Sequence, residues 1–247
     1  MNRTRIRRRR LLLIAAGSVT AAVVLSSGMV VLAAPASAVG GIKGMGVSSH
    51  QGNVNWAAAW AHGARFAYVK ATEGIGYTNP YFTQQYEGSY NVGMIRGAYH
   101  FALPNVSSAV TQADYFVANG GGWSKDGKTL PGELDIEWNP YGPMCYGKSP
   151  QGMVKWIRQF SDEYHRLTTR WPVIYTANRW WSQCTGDLGI FSNTNPLFVA
   201  NYSGSPGVLP YKWQYYTFWQ YADHGVFPGL QNTFSASYAQ LRVLATG

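Results

Sequence analysis

From residue 42 onward the chain alternates short apolar or β-branched runs with longer amphipathic stretches, and this alternation restricts its fold more than any other feature. The strands expected are 42–48, 66–71, 94–101, 133–138, 173–176, 197–202 and 216–221, each bounded by Gly, Pro or Asn. Helices are expected over 56–62, 81–90, 108–119, 150–168, 178–184 and 235–245. The clearest is 150–168, where Met153, Trp156, Ile157, Phe160 and Tyr164 recur at three- and four-residue steps and give one apolar face. Strand and helix in alternation predict an α/β fold with a parallel sheet under covering helices. No glycine fingerprint follows the first strand, which weakens an open dinucleotide-binding sheet. The segments 197–202 and 216–221 are joined by a loop with no evident helix, so the fold expected is an irregular TIM-like barrel.

The first 38 residues stand apart from that pattern. Arg3, Arg5 and Arg7 to Arg10 form a basic head, Leu11 to Ala34 is apolar and uncharged, and Ala36-Ser37-Ala38 is a small-residue cleavage signal. This order is that of a secretory signal peptide removed after Ala38, although the apolar run is also long enough for a membrane anchor. The expected organisation is a leader at 1–38 and a single secreted, extracellular domain at 39–247, with no membrane association after cleavage. The leader holds six of the 20 Lys+Arg and none of the 11 Asp+Glu, so the mature chain keeps 14 bases against 11 acids, a net charge of +3. The nucleic-acid reading thereby loses its main support. A monomer is the expected state.

Cys145 and Cys184 are the only cysteines, and in an exported protein they are expected to form one disulfide. Neither has a histidine at ligand spacing, so no zinc site, and no other metal site, is expected.

The chemistry is expected in Leu134-Asp135-Ile136-Glu137. Side chains alternate along a strand, so Asp135 and Glu137 share one face while Leu134 and Ile136 turn to the helices. Paired carboxyls at the C-terminal end of a barrel strand stand where such folds keep their active sites. Neighbouring carboxyls resist ionising together, so one keeps a proton as a general acid while the other stays charged, as glycosidic cleavage requires. The alternative is a solvated pair at a strand end. Glu133 shares the same face but falls toward the far end of the strand, outside the candidate pair. Aromatic and amide side chains at other strand ends suit sugar recognition: Tyr99, Tyr175, Asn201, Tyr202, Trp219 and Gln220 are the candidate substrate-binding residues. Some of these rings must instead be core.

Six segments, in order, resemble glycoside hydrolase family 25, particularly its actinobacterial lysozymes. They are 47–52 (VSSHQG), 66–74 (FAYVKATEG), 96–101 (RGAYHF), 134–137 (LDIE), 173–176 (VIYT) and 217–221 (TFWQY). The resemblance covers nearly all of 41–245. It implies a (β/α)5(β)3 barrel, hydrolysis of the β-1,4 bond between N-acetylmuramic acid and N-acetylglucosamine in bacterial peptidoglycan, and no cofactor. It further implies Glu137 as general acid and Asp135 as the carboxylate that steadies the substrate's own 2-acetamido group. Two departures stand out. The family's aspartate at the end of the first strand falls on Gly46, and another before an Asn-x-Phe segment falls on Leu230. With both acids replaced, the competing expectation is a catalytically impaired barrel that binds peptidoglycan.

Overall fold

Residues 40–247 are described by the structure, a computed structural model; the signal-peptide segment lies outside the described residues. The chain runs β1 (Ile42–Val47), α1 (Trp56–Ala61), β2 (Phe66–Glu73), β3 (Tyr77–Thr78), α2 (Phe82–Asn91), β4 (Ile95–Phe101) and α3 (Ala109–Phe116). It continues through β5 (Glu133–Asp135), α4 (Pro150–Thr168), β6 (Val173–Thr176), α5 (Asn178–Thr185), β7 (Leu197–Ala200), β8 (Phe218–Ala222), β9 (Leu230–Phe234) and α6 (Tyr238–Thr246). β1, β2, β4, β5, β6, β7 and β8 pair in parallel in that order. β9 then pairs antiparallel with both β8 and β1 and closes an eight-stranded barrel. The short β3 lies outside the ring, paired to the end of β2. The barrel expected from the alternation is therefore present, with helices absent between the last three strands.

Two apolar layers hold it. Inside the barrel, Phe66, Tyr68, Val173, Phe198, Phe218 and Phe234 pack together, and α6 adds Leu241 and Ala245 to the same cluster. Aromatic side chains this large fit because β1 and β4 carry glycines facing them. A Cβ on Gly44 would lie 2.4 Å from the Phe66 ring, and one on Gly97 would lie 2.4 Å from that of Tyr68. Outside, Leu134 and Ile136 meet Met153, Trp156, Ile157, Phe160 and Tyr164 of α4, the periodic face expected from the sequence. Each such side chain, fully buried, contributes about 1.5–3 kcal/mol. Ser149 caps α4, Pro150 opens it, and Thr169 ends it in the left-handed conformation.

α4 also fixes β5, the strand on which the chemistry is expected. The Tyr164 hydroxyl accepts from the Gly132 N–H at 2.6 Å and donates to the Gly121 carbonyl at 2.9 Å. Only glycine permits this at 132, since a Cβ there would stand 2.6 Å from that hydroxyl. Cys145 and Cys184 are bonded, with Cα atoms 5.3 Å apart, and tie the loop after β5 to α5. Among the described residues no helix is long and apolar enough to cross a membrane.

Candidate active site

The C-terminal ends of the parallel strands open onto a cavity of about 220 Å³. Asp135 and Glu137 line it, as do Tyr99 of β4, Tyr175 of β6 and Gln220 of β8. Period-two alternation along β5 brings the carboxyls inward, as expected, with Leu134 and Ile136 in the outer layer. Glu133 lines the same cavity and is 4% exposed. The lower end of the strand was expected to leave it apart from the pair; instead the packed barrel floor encloses it. Alternation places Glu133 on the face of Asp135 and Glu137, as expected; its enclosure with them was not.

Burial is the first cause of what happens to these acids. It raises the Glu137 carboxyl to about 7, against which Lys70 acts in the opposite direction. Asp135 is pushed well above the ordinary aspartate range, by burial first and then by Glu137 and Glu133. Glu133 rises likewise, by burial and then by Glu137. Glu133 Oε2 and Asp135 Oδ1 are buried without a hydrogen-bond partner. Lys70, the cation on the cavity wall, is itself engaged: its ammonium lies 2.5 Å from Glu73 Oε2. Glu73 in turn accepts from the Tyr141 hydroxyl at 2.5 Å, which links β2 to the loop following Glu137. Within that loop Asn139 donates to the Pro143 carbonyl and accepts from the Tyr141 N–H.

On the opposite wall the polar groups are amides. Gln220 donates to the Tyr175 hydroxyl at 2.7 Å and to the Tyr202 hydroxyl at 2.6 Å. Each phenol thus accepts from Gln220 and keeps its own O–H to give elsewhere. Gly46 and Leu230 are cross-strand partners between β1 and β9, and both line the cavity beside Asn232. With its amide oriented to satisfy both ends, Asn232 accepts from the Gly46 N–H at 3.1 Å.

The remaining candidates are placed differently. Tyr202 is half-exposed and reaches the cavity only through Gln220. Asn201 is committed to its own loop, donating to the Pro206 carbonyl and accepting from the Ser203 N–H. It lines a second depression with Trp138, Asn178 and Arg179. Trp219 is not brought to the cavity. Adjacent residues of a strand face opposite ways, so with Gln220 inward Trp219 packs in the outer core and its indole N–H donates to the Asn201 carbonyl at 2.8 Å.

This geometry has relatives. Residues 45–230 match the model of glycosyl hydrolases family 25. The chain belongs to that family. The family-25 fold is shared closely with a muramidase from Acremonium alcalophilum, at 52% identity and a TM-score of 0.81, over 83% of this chain and 99% of that one. It is shared equally with a bacterial lysozyme from Streptomyces coelicolor, at 46% identity and a TM-score of 0.81, over 84% and 98% of the two chains. An N,O-diacetylmuramidase from a Chalaropsis species is 49% identical over 210 residues, 83% of this chain and all of that protein. As a family-25 protein the chain is a glycoside hydrolase with a barrel fold.

Proposed function

We propose that the protein is a secreted muramidase that hydrolyses the β-1,4 bond between N-acetylmuramic acid and N-acetylglucosamine in peptidoglycan, through Glu137 and Asp135. The observation that carries this reading is the convergence of the buried Asp135 carboxyl, the half-buried Glu137 carboxyl, Tyr175 and the Gln220 amide at the mouth of a family-25 barrel. The mature domain is 39–247, released after Ala38.

Glu137 serves as the general acid. Its carboxyl, raised to about 7, holds a proton at the mildly acid pH where a surface glutamate has lost it. That proton passes to the glycosidic oxygen as the bond from C1 to that oxygen breaks, and the 2-acetamido oxygen of the same sugar closes on C1. Asp135 accepts a hydrogen bond from the acetamido N–H. A donor placed on Asp135 favours its ionised form, so bound substrate itself leaves the proton on Glu137. Water then opens the cyclic intermediate, giving its proton back to Glu137. Tyr99 and Tyr175 present ring and hydroxyl to the sugar, with Tyr175 held by Gln220. A cavity of about 220 Å³ holds part of one sugar, so neighbouring units of the glycan lie along the rim near Tyr202 and Asn201.

A second reading is favoured by Gly46 and Leu230, which leave one wall without carboxylates: a barrel that binds peptidoglycan and cuts it poorly. One assay separates the two. Mature protein should release reducing ends from peptidoglycan, and Glu137→Gln should reduce the rate by roughly 10²–10⁴-fold, the usual contribution of a positioned acid. Binding by both proteins with no hydrolysis by either would establish the second reading.

A further inference from the structure

Beside the catalytic cavity the same end of the barrel holds a second depression, of about 410 Å³, which the mechanism does not use. Its lining includes Trp138 from the loop after β5, Asn178 and Arg179 from the first turn of α5, and Asn201 just after β7. These segments follow the C-terminal ends of three neighbouring parallel strands. The two hollows share no lining residue, but their walls adjoin along the chain. Glu137 lines the first and Trp138 the second; Asn201 lines the second, and Tyr202 accepts from Gln220 of the first. A glycan that leaves the cavity over this rim runs past the depression.

The hollows differ in charge. Glu133, Asp135 and Glu137 line the cavity with Lys70, whereas the depression is lined by no acid and by one cation, Arg179. That side chain is exposed and uncommitted. Arg65, Arg158 and Arg170 donate to backbone carbonyls, and Arg96 and Arg166 face carboxylates. Among the described residues the Arg179 guanidinium has neither kind of partner. A free guanidinium presents a planar fork of donors that matches a carboxylate. In the same hollow the exposed Trp138 ring offers an apolar face to methyl and C–H groups.

We propose that this depression receives the anionic arm of a muramoyl residue, and that Arg179 is the specificity-determining residue that reads its carboxylate. This rests on the reading of the protein as a muramidase acting through Glu137 and Asp135. N-acetylmuramic acid carries a lactyl ether at O3, whose carboxyl is free or extended by a short acidic peptide; N-acetylglucosamine carries a hydroxyl there. Such arms recur on every second sugar. Holding one beside the cavity therefore fixes which of the two alternating β-1,4 bonds lies against Glu137. Like charge from the cavity's own acids disfavours the arm in the first hollow, so attraction at Arg179 and repulsion next door act in the same direction. Because Arg179 is exposed, the contact is weakened by salt.

The test is steady-state hydrolysis of three soluble glycan-strand preparations by wild type, Arg179→Gln, Arg179→Lys and Glu137→Gln, with thermal melts to verify folding. One preparation keeps its peptides, one is stripped to free lactyl carboxylates, and in the third those carboxylates are converted to the neutral methylamide. Arg179→Gln should raise KM roughly tenfold on an anionic preparation, the scale of one charge-assisted contact at a surface, with little change in kcat. On the methylamide that difference should shrink to less than about twofold. Arg179→Lys keeps the charge without the fork and should recover part of the loss, and added salt should bring wild type toward Arg179→Gln. A loss on the stripped strands supports the proposal with the lactyl carboxylate as the group read; a loss confined to peptide-bearing strands supports it with a peptide carboxylate. An unchanged KM on both anionic preparations overturns it, as does an equal rise on the methylamide. Retained hydrolysis by Glu137→Gln, or none by wild type on any preparation, would instead overturn the muramidase reading and this proposal with it, whatever Arg179 does.

Discussion

Along β2, β4 and β5 the cavity wall carries Lys70, Tyr99, Glu133, Asp135 and Glu137; along β1, β8 and β9 it carries Gly46, Gln220, Leu230 and Asn232. The first wall is built from parallel strands backed by helices, and the acids of the cavity are on β5 or, at Glu137, two residues past its end. The second is built where β8, β9 and β1 meet antiparallel, and its polar atoms are neutral amides engaged with tyrosine hydroxyls or backbone. The difference separates two tasks. The carboxyls proposed to react sit where burial shifts them, while on the opposite wall Gln220 orients two phenols. Substitutions on the two walls should therefore differ in kind: the acid wall should govern kcat and its pH dependence, the amide wall mainly KM.

The largest effect should come from a matched pair of substitutions across the cavity. Asp135→Asn removes the charge proposed to steady the acetamido group and should lower kcat by about 10²–10³-fold, the usual cost of losing one preorganised polar contact. Asn232→Ala should cost less than about tenfold, the scale of one ordinary neutral hydrogen bond, and chiefly in KM. Steady-state kinetics on soluble glycan fragments would check both. Equal losses in kcat would erase the division between the walls.

Much of the acid wall was legible in the sequence because it obeys the two-residue period of a strand and the three-to-four-residue period of α4. On the amide wall Gln220 was legible from its strand, and β9 was not. β9 reads Leu-Gln-Asn-Thr-Phe, which looks like a loop because its polar side chains meet backbone instead of solvent. Gln231 bonds to the Phe227 and Gly229 carbonyls and to the Phe227 N–H, and Thr233 donates to the Gly40 carbonyl. No local pattern announces the Gly40 partner, 193 residues away along the chain, whereas the helix expected over 235–245 is present as α6, beginning at Tyr238 after the Ser237 cap. Glu133 and Trp219 were legible in principle. Alternation alone places Glu133 with Asp135 and sets Trp219 opposite Gln220; the depth of Glu133 required knowing that the barrel floor is packed.

The disulfide acts on the acid wall alone. It closes 39 residues between the loop that follows Glu137 and the helix α5. Replacing both cysteines by serine should lower unfolding free energy by about 2–4 kcal/mol, as expected for a loop of this length, measured by denaturant titration. The same variant should lose more activity than stability predicts below its melting range, because the loop that follows Glu137 is anchored to β2 through the Tyr141–Glu73 contact.

A smaller change separates charge from burial on that wall. Lys70 draws the Glu137 and Asp135 carboxyls downward. Removing it leaves burial unopposed, so Glu137 keeps its proton to higher pH. Wild-type activity should fall as pH rises through about 7, where Glu137 deprotonates. In Lys70→Met that alkaline limb should move upward by about one unit. An unmoved limb would assign it to some other group.

The smallest effect is expected on the amide wall, at Gly46. Its φ is not positive, so alanine is compatible with the backbone, and restricting the unfolded chain would favour the folded state by about 0.4–1 kcal/mol. Against this, the new Cβ would stand 3.2 Å from Leu230 Cδ1 and 3.3 Å from Leu230 Cβ. Leu230 is only partly buried and has room to turn toward solvent, so the two terms should nearly cancel. Gly46→Ala should change stability by less than about 1 kcal/mol, and Leu230→Ala in the same chain should remove the part of any cost that comes from the Cδ1 contact. If Gly46→Ala instead costs several kcal/mol and Leu230→Ala does not relieve it, the amide wall is as rigidly packed as β5. The absence of carboxylates there would then reflect a shape the barrel cannot give up, and the acid wall would be the adaptable side of the cleft.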